Sequence, residues 1–448
     1  MSKPWSSFSI GRRSTVIDGH LHPAFEGVAA RLREQLHMTP GGAAVCVYHR
    51  GQCVVDLWGG VRDEEGRRWE ADTMSPSFST TKGVASTLVH IMADRGLLDY
   101  DDLVADYWPE FGQAGKDRIT IRHVMAHQSG LYHIRQMIDR ADRMLDWEYM
   151  IHAIERSEPA HPPGERTGYH GLTYGYLVGE ILRRVTGTPF PELVRKELAK
   201  PLGLDGMFVG APSDELHRAA QLIWPKVNFA TPSLPTGVTK GLRNLTSPAI
   251  ELGARMVGFQ LDVASIIDSL APRGIGHFDF SSAETLRASI PAANGLFTAR
   301  SLARMYAALA AGGELDGVRL LSRRTLRRAV RRQNRSGRLA VIPFDMRWRL
   351  GYHGVFTSRG SPRHAFGHFG FGGSGGWADP SRELSVALIV NAGLGTPFGD
   401  VRIARISAAA IRAVDARRFP RRSSVGAPLP NRSNGRARPL GSPVSFRA

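Results

Sequence analysis

Apolar residues recur every three or four positions at Phe25, Val28, Ala29, Leu32 and Leu36, and Pro40-Gly41-Gly42 follows them. That period is one helix face closed by a breaker. Two β-branched runs come next, Ala43-Ala-Val-Cys-Val-Tyr-His and Gln52-Cys-Val-Val-Asp-Leu-Trp, separated by Arg50-Gly51, and they predict a hairpin. In a regular hairpin with that turn, Tyr48 faces Cys53 and Cys46 faces Val55, so the two cysteines are diagonal neighbours too far apart for an easy disulfide. Val84, Leu88, Ile91 and Met92 mark a second helix, stopped by Gly96, and 119–131 reads as a short helix ending in a turn. Residues 140–335 read as helices and long loops, with the clearest helices at 174–186, before Gly187, and 298–311, before Gly312-Gly313. Strand patterns return only late, at Gly375-Gly-Trp-Ala-Asp and Leu384-Ser-Val-Ala-Leu-Ile-Val around a turn at Pro380, and a helix over 401–414 follows. Strands at both ends with helices between them imply an α+β fold with one antiparallel sheet built from the two chain ends and flanked by helices. The expected division is 20–78 plus 345–415 for the sheet region, 79–344 for a mainly helical region, and 416–448 for a tail.

Composition adds less. With 448 residues, 42% hydrophobic and 22% charged, the chain can bury a large core unaided, and two cysteines make no disulfide framework. The formal charge of +17 suggests a polyanion partner, but residues 416–448 carry eight arginines, no acidic residue and many Pro, Ser and Gly. Such a segment reads as a disordered basic tail with nonspecific affinity for phosphate, so no specific nucleic-acid partner is expected. Arg12-Arg13 is not followed by an apolar stretch and no run reaches the length of a membrane span, which gives the expectation of a cytoplasmic protein without a transmembrane segment. The oligomeric state is not readable.

The candidate chemistry begins at Ser79-Thr-Thr-Lys82, at the start of the second helix. Residues three apart lie on one helix face, so Lys82 can reach the hydroxyl of Ser79 and take its proton, while the free N–H groups of the helix start favour an oxyanion. Tyr169 lies in the Gly- and Pro-rich stretch Gly164-Glu-Arg-Thr-Gly-Tyr-His-Gly just before the 174–186 helix. Beside a lysine ammonium a phenol loses its proton more readily, so Tyr169 is expected to share the work of the base. His368 sits on a strand running into Gly370-Phe371-Gly372-Gly373, where glycines allow close approach to the backbone and the N–H of Phe371 can complete an oxyanion hole with that of Ser79. Phe366, Phe369 and Phe371 add apolar surface suited to an acyl chain or aryl alcohol.

Taken together these segments resemble the serine β-lactamase and penicillin-binding-protein superfamily, in particular its class-C-like esterase branch. Ser79-Thr-Thr-Lys82 is similar to its Ser-x-x-Lys motif, Tyr169-His-Gly171 to Tyr-x-Asn, and His368-Phe-Gly370 to Lys-Thr-Gly. The similarity runs over roughly 24–414, including 119–131 and Asn294-Gly-Leu-Phe-Thr-Ala-Arg. It implies a serine carboxylesterase, lipase-like, with Ser79, Lys82 and Tyr169 catalytic, His368, Gly370 and Phe371 binding substrate, and no metal or organic cofactor. The alternative on the same site is β-lactam or D-alanyl-D-alanine hydrolysis. Gly171 in place of asparagine removes an amide that would help hold Lys82, and His368 in place of lysine weakens an anchor for a substrate carboxylate.

Three competing signals remain. Gly372-Gly-Ser-Gly-Gly376 is a literal G-x-S-x-G with Ser374 as nucleophile, but that elbow needs a following helix and a later histidine, and no histidine follows His368. His123 and His127 stand at i and i+4 as on a zinc helix, without the Glu of H-E-x-x-H. A non-catalytic binding protein on this fold is the reading from another class, and intact Ser79, Lys82 and Tyr169 count against it.

Overall fold

The computed structural model describes residues 16–224, 263–333, 338–342, 344–393 and 399–416. The basic tail lies outside the described residues from position 417 on, as does the N-terminal stretch read for a targeting signal. Seven strands form one antiparallel sheet: β1 (Ile17–Leu21), β2 (Gly42–His49), β3 (Gln52–Gly60), β4 (His353–Gly354), β5 (Phe366–Phe369), β6 (Gly375–Asp379) and β7 (Leu384–Val390). Their order is β1-β3-β2-β7-β6-β5-β4, so the two chain ends meet where β2 pairs with β7, Val45 opposite Leu388. The sheet is thus drawn from both ends of the chain, as the strand patterns predict.

Every residue of β2 and of β7 is buried, because both faces of the sheet are covered. Ala44, Cys46, Tyr48, Ala387 and Ile389 join the core that contains α2 (Thr80–Asp94), α3 (Thr173–Thr186) and α4 (Ala299–Ala310). The alternate residues Ala43, Val45, Val47, Val386, Leu388 and Val390 face a second core under α1 (Glu26–Met38) and α5 (Val401–Asp415). The period of two along each strand therefore serves two layers of helix. Among the described residues no helix is long and apolar enough to cross a membrane.

The hairpin corrects one expectation. A register shift between Val47 and Tyr48 keeps Tyr48 opposite Cys53 but sets Cys46 opposite Asp56 in place of Val55. The bulge inserts one residue into β3, and the Cys46 and Cys53 sulfurs lie 3.7 Å apart, both as free thiols.

The helix that carries Ser79 is buried on all sides, from Thr80 to Met92. Val84, Leu88, Ile91 and Met92 are each at most 1% exposed, worth roughly 1.5–3 kcal/mol apiece in burial. Its C-terminus closes as the sequence predicts: Gly96 has φ +72, its N–H donates to Ala93 O, and the Leu97 N–H donates to Met92 O. A helix locked at this end and enclosed along its length gives Ser79 a fixed position at the other.

Candidate active site

Ser79 is the N-cap residue of α2 and keeps 8% of its surface open. Phe78 before it holds φ +45, a conformation costly for a bulky side chain and common where a reactive residue is aimed by its neighbours. Lys82 Nζ lies 3.0 Å from Ser79 Oγ and also donates to two backbone carbonyls, Gly171 O at 2.6 Å and Ala292 O at 3.0 Å. The lysine is fully buried, and burial alone, with no carboxylate contributing, holds its pKa well below the ordinary lysine value. A neutral amine has two N–H bonds and one lone pair. Two carbonyls take the two N–H groups, so the lone pair is left for the proton of Ser79.

The Tyr169 hydroxyl lies 2.7 Å from Ser79 Oγ. Burial raises the Tyr169 pKa, which opposes the expectation that a lysine ammonium eases its ionisation: desolvation of the phenolate is the largest cause and outweighs the hydrogen bond to Ser79. The Tyr169 hydroxyl therefore stays protonated and donates to Ser79 Oγ. The ring is clamped by Trp348, stacked at 5.6 Å, and by His127 at 5.1 Å.

Gly171 replaces the asparagine amide without leaving Lys82 unheld, since its own carbonyl does the holding. A Cβ at that position would fall within 3 Å of Leu270 and of Ser269 O, in the helix Val263–Leu270. Ala292 O is presented by a loop fixed from inside by Asn294, whose side chain bonds Ile290 N, Thr285 O and Ala288 O. Gly295 ties the loop to the start of α2 through Thr81 Oγ1 and Ser77 N.

On the opposite side the turn after β5 closes over Ser79. Thr80 Oγ1 donates to Ser374 O at 3.0 Å, and Gly370 packs on Ser77 O and Thr80. The N–H groups of Ser79 and Phe371 donate to no other described residue, which leaves both available as donors at this end of the helix. A Cβ on Gly370 would lie within 3 Å of both Ser77 O and Thr80 Oγ1. Gly370→Ala is expected to push this turn off the helix start and lower kcat by about 10²-fold or more, the scale of losing one oxyanion donor. Unchanged kcat for nitrophenyl acetate would show that the turn does not hold the carbonyl.

His368 is fully buried, and desolvation, the largest cause, holds its pKa well below the ordinary histidine value, so the ring is neutral. Nδ1 lies 3.0 Å from Phe369 O, which only accepts, so Nδ1 carries the proton and Nε2 is a bare acceptor with no partner among the described residues. His353 accepts the Phe369 N–H on Nε2 and is itself held down to about 4 by burial.

Other sequence signals resolve differently. Ser374 Oγ is 1% exposed and accepts the Val390 N–H at 3.1 Å, a strand-end lock with no base beside it. The helix carrying His123 ends at Met125, and His127 lies beyond it with φ +58, so the two imidazoles do not share a helix face. His127 Nδ1 accepts the His170 N–H, His127 O accepts the Gly168 N–H, and His170 bonds Gly168 O and Ser129. This backing of Tyr169 by His127, His170 and Trp348 was not readable beforehand, although the Gln128-Ser-Gly turn signals a sharp chain reversal. Phe366 and Phe369 are buried in the two cores, and of the three aromatic residues expected to face substrate only Phe371 keeps open surface.

A profile of the family described as Beta-lactamase matches residues 29–411. The chain belongs to the beta-lactamase family. Among curated relatives of this beta-lactamase family member, "Esterase/beta-lactamase LipL" of Mycobacterium tuberculosis (strain ATCC 25618 / H37Rv) is 40% identical over 355 residues, 78% of this chain and 77% of that protein. Among solved structures, a penicillin-binding protein homologue from Caulobacter crescentus superposes with a TM-score of 0.74 at 35% identity, covering 89% of this chain and 99% of the other. A family VIII carboxylesterase gives the same TM-score and coverage at 31% identity. This beta-lactamase family member is a serine hydrolase with an α+β fold.

Proposed function

We propose that the protein is a carboxylesterase that works through an acyl-enzyme on Ser79. The neutral Lys82 amine takes the Ser79 proton as Oγ attacks the ester carbonyl, whose oxygen gathers charge between the N–H groups of Ser79 and Phe371. The proton then passes from Lys82, with Tyr169 as neutral donor beside it, to the departing alcohol oxygen. Water attacks the acyl-enzyme by the same route in reverse, and Ser79 recovers its proton from Lys82. The observation that carries this reading is the triple contact of a fully buried Lys82 with Gly171 O, Ala292 O and Ser79 Oγ, which leaves the amine one lone pair and one place to use it.

An ester is favoured over a β-lactam or a peptide ending in a carboxylate by the proton on His368. A carboxylate needs a donor or a cation, and the imidazole offers a lone pair. An uncharged ester meets no such repulsion. The names of the relatives keep β-lactam hydrolysis as the second reading. The deciding comparison is kcat/KM for nitrophenyl acetate and butanoate against a chromogenic cephalosporin at pH 7. The expected ratio is at least about 10²-fold in favour of the esters, with His368→Lys narrowing it. A cephalosporin turned over more efficiently than each ester would reverse the assignment.

A further inference from the structure

Five aromatic side chains form a connected group that starts at Phe78, the residue before Ser79. Phe78 lies 5.0 Å from Phe280 and 5.4 Å from Phe371 by ring centroids; Phe280 lies 4.9 Å from Phe278, and Phe371 lies 6.0 Å from Trp224. Phe278, Phe280 and Phe371 are half-buried and Trp224 is 49% exposed, so the group presents open apolar surface and is not sealed core. It is built on the residue that precedes the nucleophile and on the residue whose N–H faces the oxyanion.

None of these five rings touches the group formed by Tyr169, His127, Trp348, His353 and His368, among the described residues. Phe78 joins the first group to Ser79 through the chain, and Tyr169 joins the second to it through its hydroxyl. Chemistry assigns a side to each half of an ester. The departing alcohol oxygen must receive its proton from Lys82 and Tyr169, so the alcohol leaves on the histidine side, and the acyl group, which stays bonded to Ser79 Oγ, extends the other way.

We propose that Phe78, Phe278, Phe280, Phe371 and Trp224 form the acyl-chain subsite, and that the substrate class is esters of medium-length or aryl carboxylic acids. The inference rests on the serine-esterase reading above and adds which half of the ester is apolar. Each methylene moved from water onto such a surface is worth up to about fourfold in kcat/KM.

The test is a pair of substrate series on the full chain. With nitrophenol constant, kcat/KM is expected to rise about two- to fourfold per added methylene from acetyl to hexanoyl; with acetyl constant, methyl, butyl and hexyl esters are expected to differ little. Phe280→Ala and, separately, Trp224→Ala should flatten the acyl series and keep nitrophenyl acetate hydrolysis within about threefold of wild type, Trp224 being exposed enough for its removal to spare the fold. A flat acyl series in the wild type overturns the inference, and so does a rise confined to the alcohol series. Undiminished acyl preference in both variants does the same. If the wild type hydrolyses acetate but the acyl series is flat, the esterase reading stands and the subsite falls. No acetate hydrolysis at all removes the esterase reading and the subsite with it.

Discussion

The Ser79→Ala variant is expected to lose kcat/KM for nitrophenyl acetate by about 10⁴-fold or more while retaining its melting temperature, and Ser374→Ala is expected to retain activity. The first effect follows from removing the oxygen that meets both Lys82 Nζ and the Tyr169 hydroxyl. Stability should hold because Ser79 gives no side-chain cap to α2, so its hydroxyl holds no part of the helix start. Ser374, by contrast, bonds the backbone of Val390, and its removal costs stability before rate. Near-normal hydrolysis by Ser79→Ala together with loss in Ser374→Ala would transfer the nucleophile to the glycine-rich turn.

Lys82→Ala is expected to be nearly as damaging, with a loss of about 10³-fold or more, because Ser79 then keeps its proton. The wild-type pH profile carries the same claim with a definite sign. A protonated Lys82 cannot act as base, so kcat/KM rises with pH as the amine loses its proton and is level above. Burial depresses that pKa, so the rise should be complete well below the ordinary lysine value of about 10.4. A limb centred near that value would mean that Lys82 is solvated and charged, and the division of its three contacts into two donated and one received would be wrong. His368→Asn should leave the limb where it is, since His368 is neutral throughout the range.

Much of the architecture was legible because its signals are local. The stripe at Val84, Leu88, Ile91 and Met92, the stop at Gly96 and the Ser79 to Lys82 spacing are properties of one helix, and that helix forms where they predict. That one sheet is drawn from both chain ends followed from the strand patterns near those ends. What remained hidden depends on the third dimension. Gly171 O and Ala292 O are main-chain atoms without a residue signature, and they reach Lys82 from 89 and 210 positions away. The direction of the Tyr169 shift was misjudged because the sequence displays the neighbouring lysine but not the loss of water around both groups. Cys46 was given the wrong partner because a bulge changes register without changing composition. Phe280 and Trp224 join Phe78 and Phe371 across some 150 to 200 positions, and no periodicity within a window reports that meeting.

The central claim is that one serine, activated by one buried lysine, forms the covalent intermediate. Its most direct test is intact-mass and peptide analysis after exposure of the full chain to a fluorophosphonate. A single adduct on the peptide containing Ser79, formed faster as pH rises through the Lys82 limb and absent from Ser79→Ala, is the expected result. An adduct on Ser374, or labelling that survives Ser79→Ala, would contradict it.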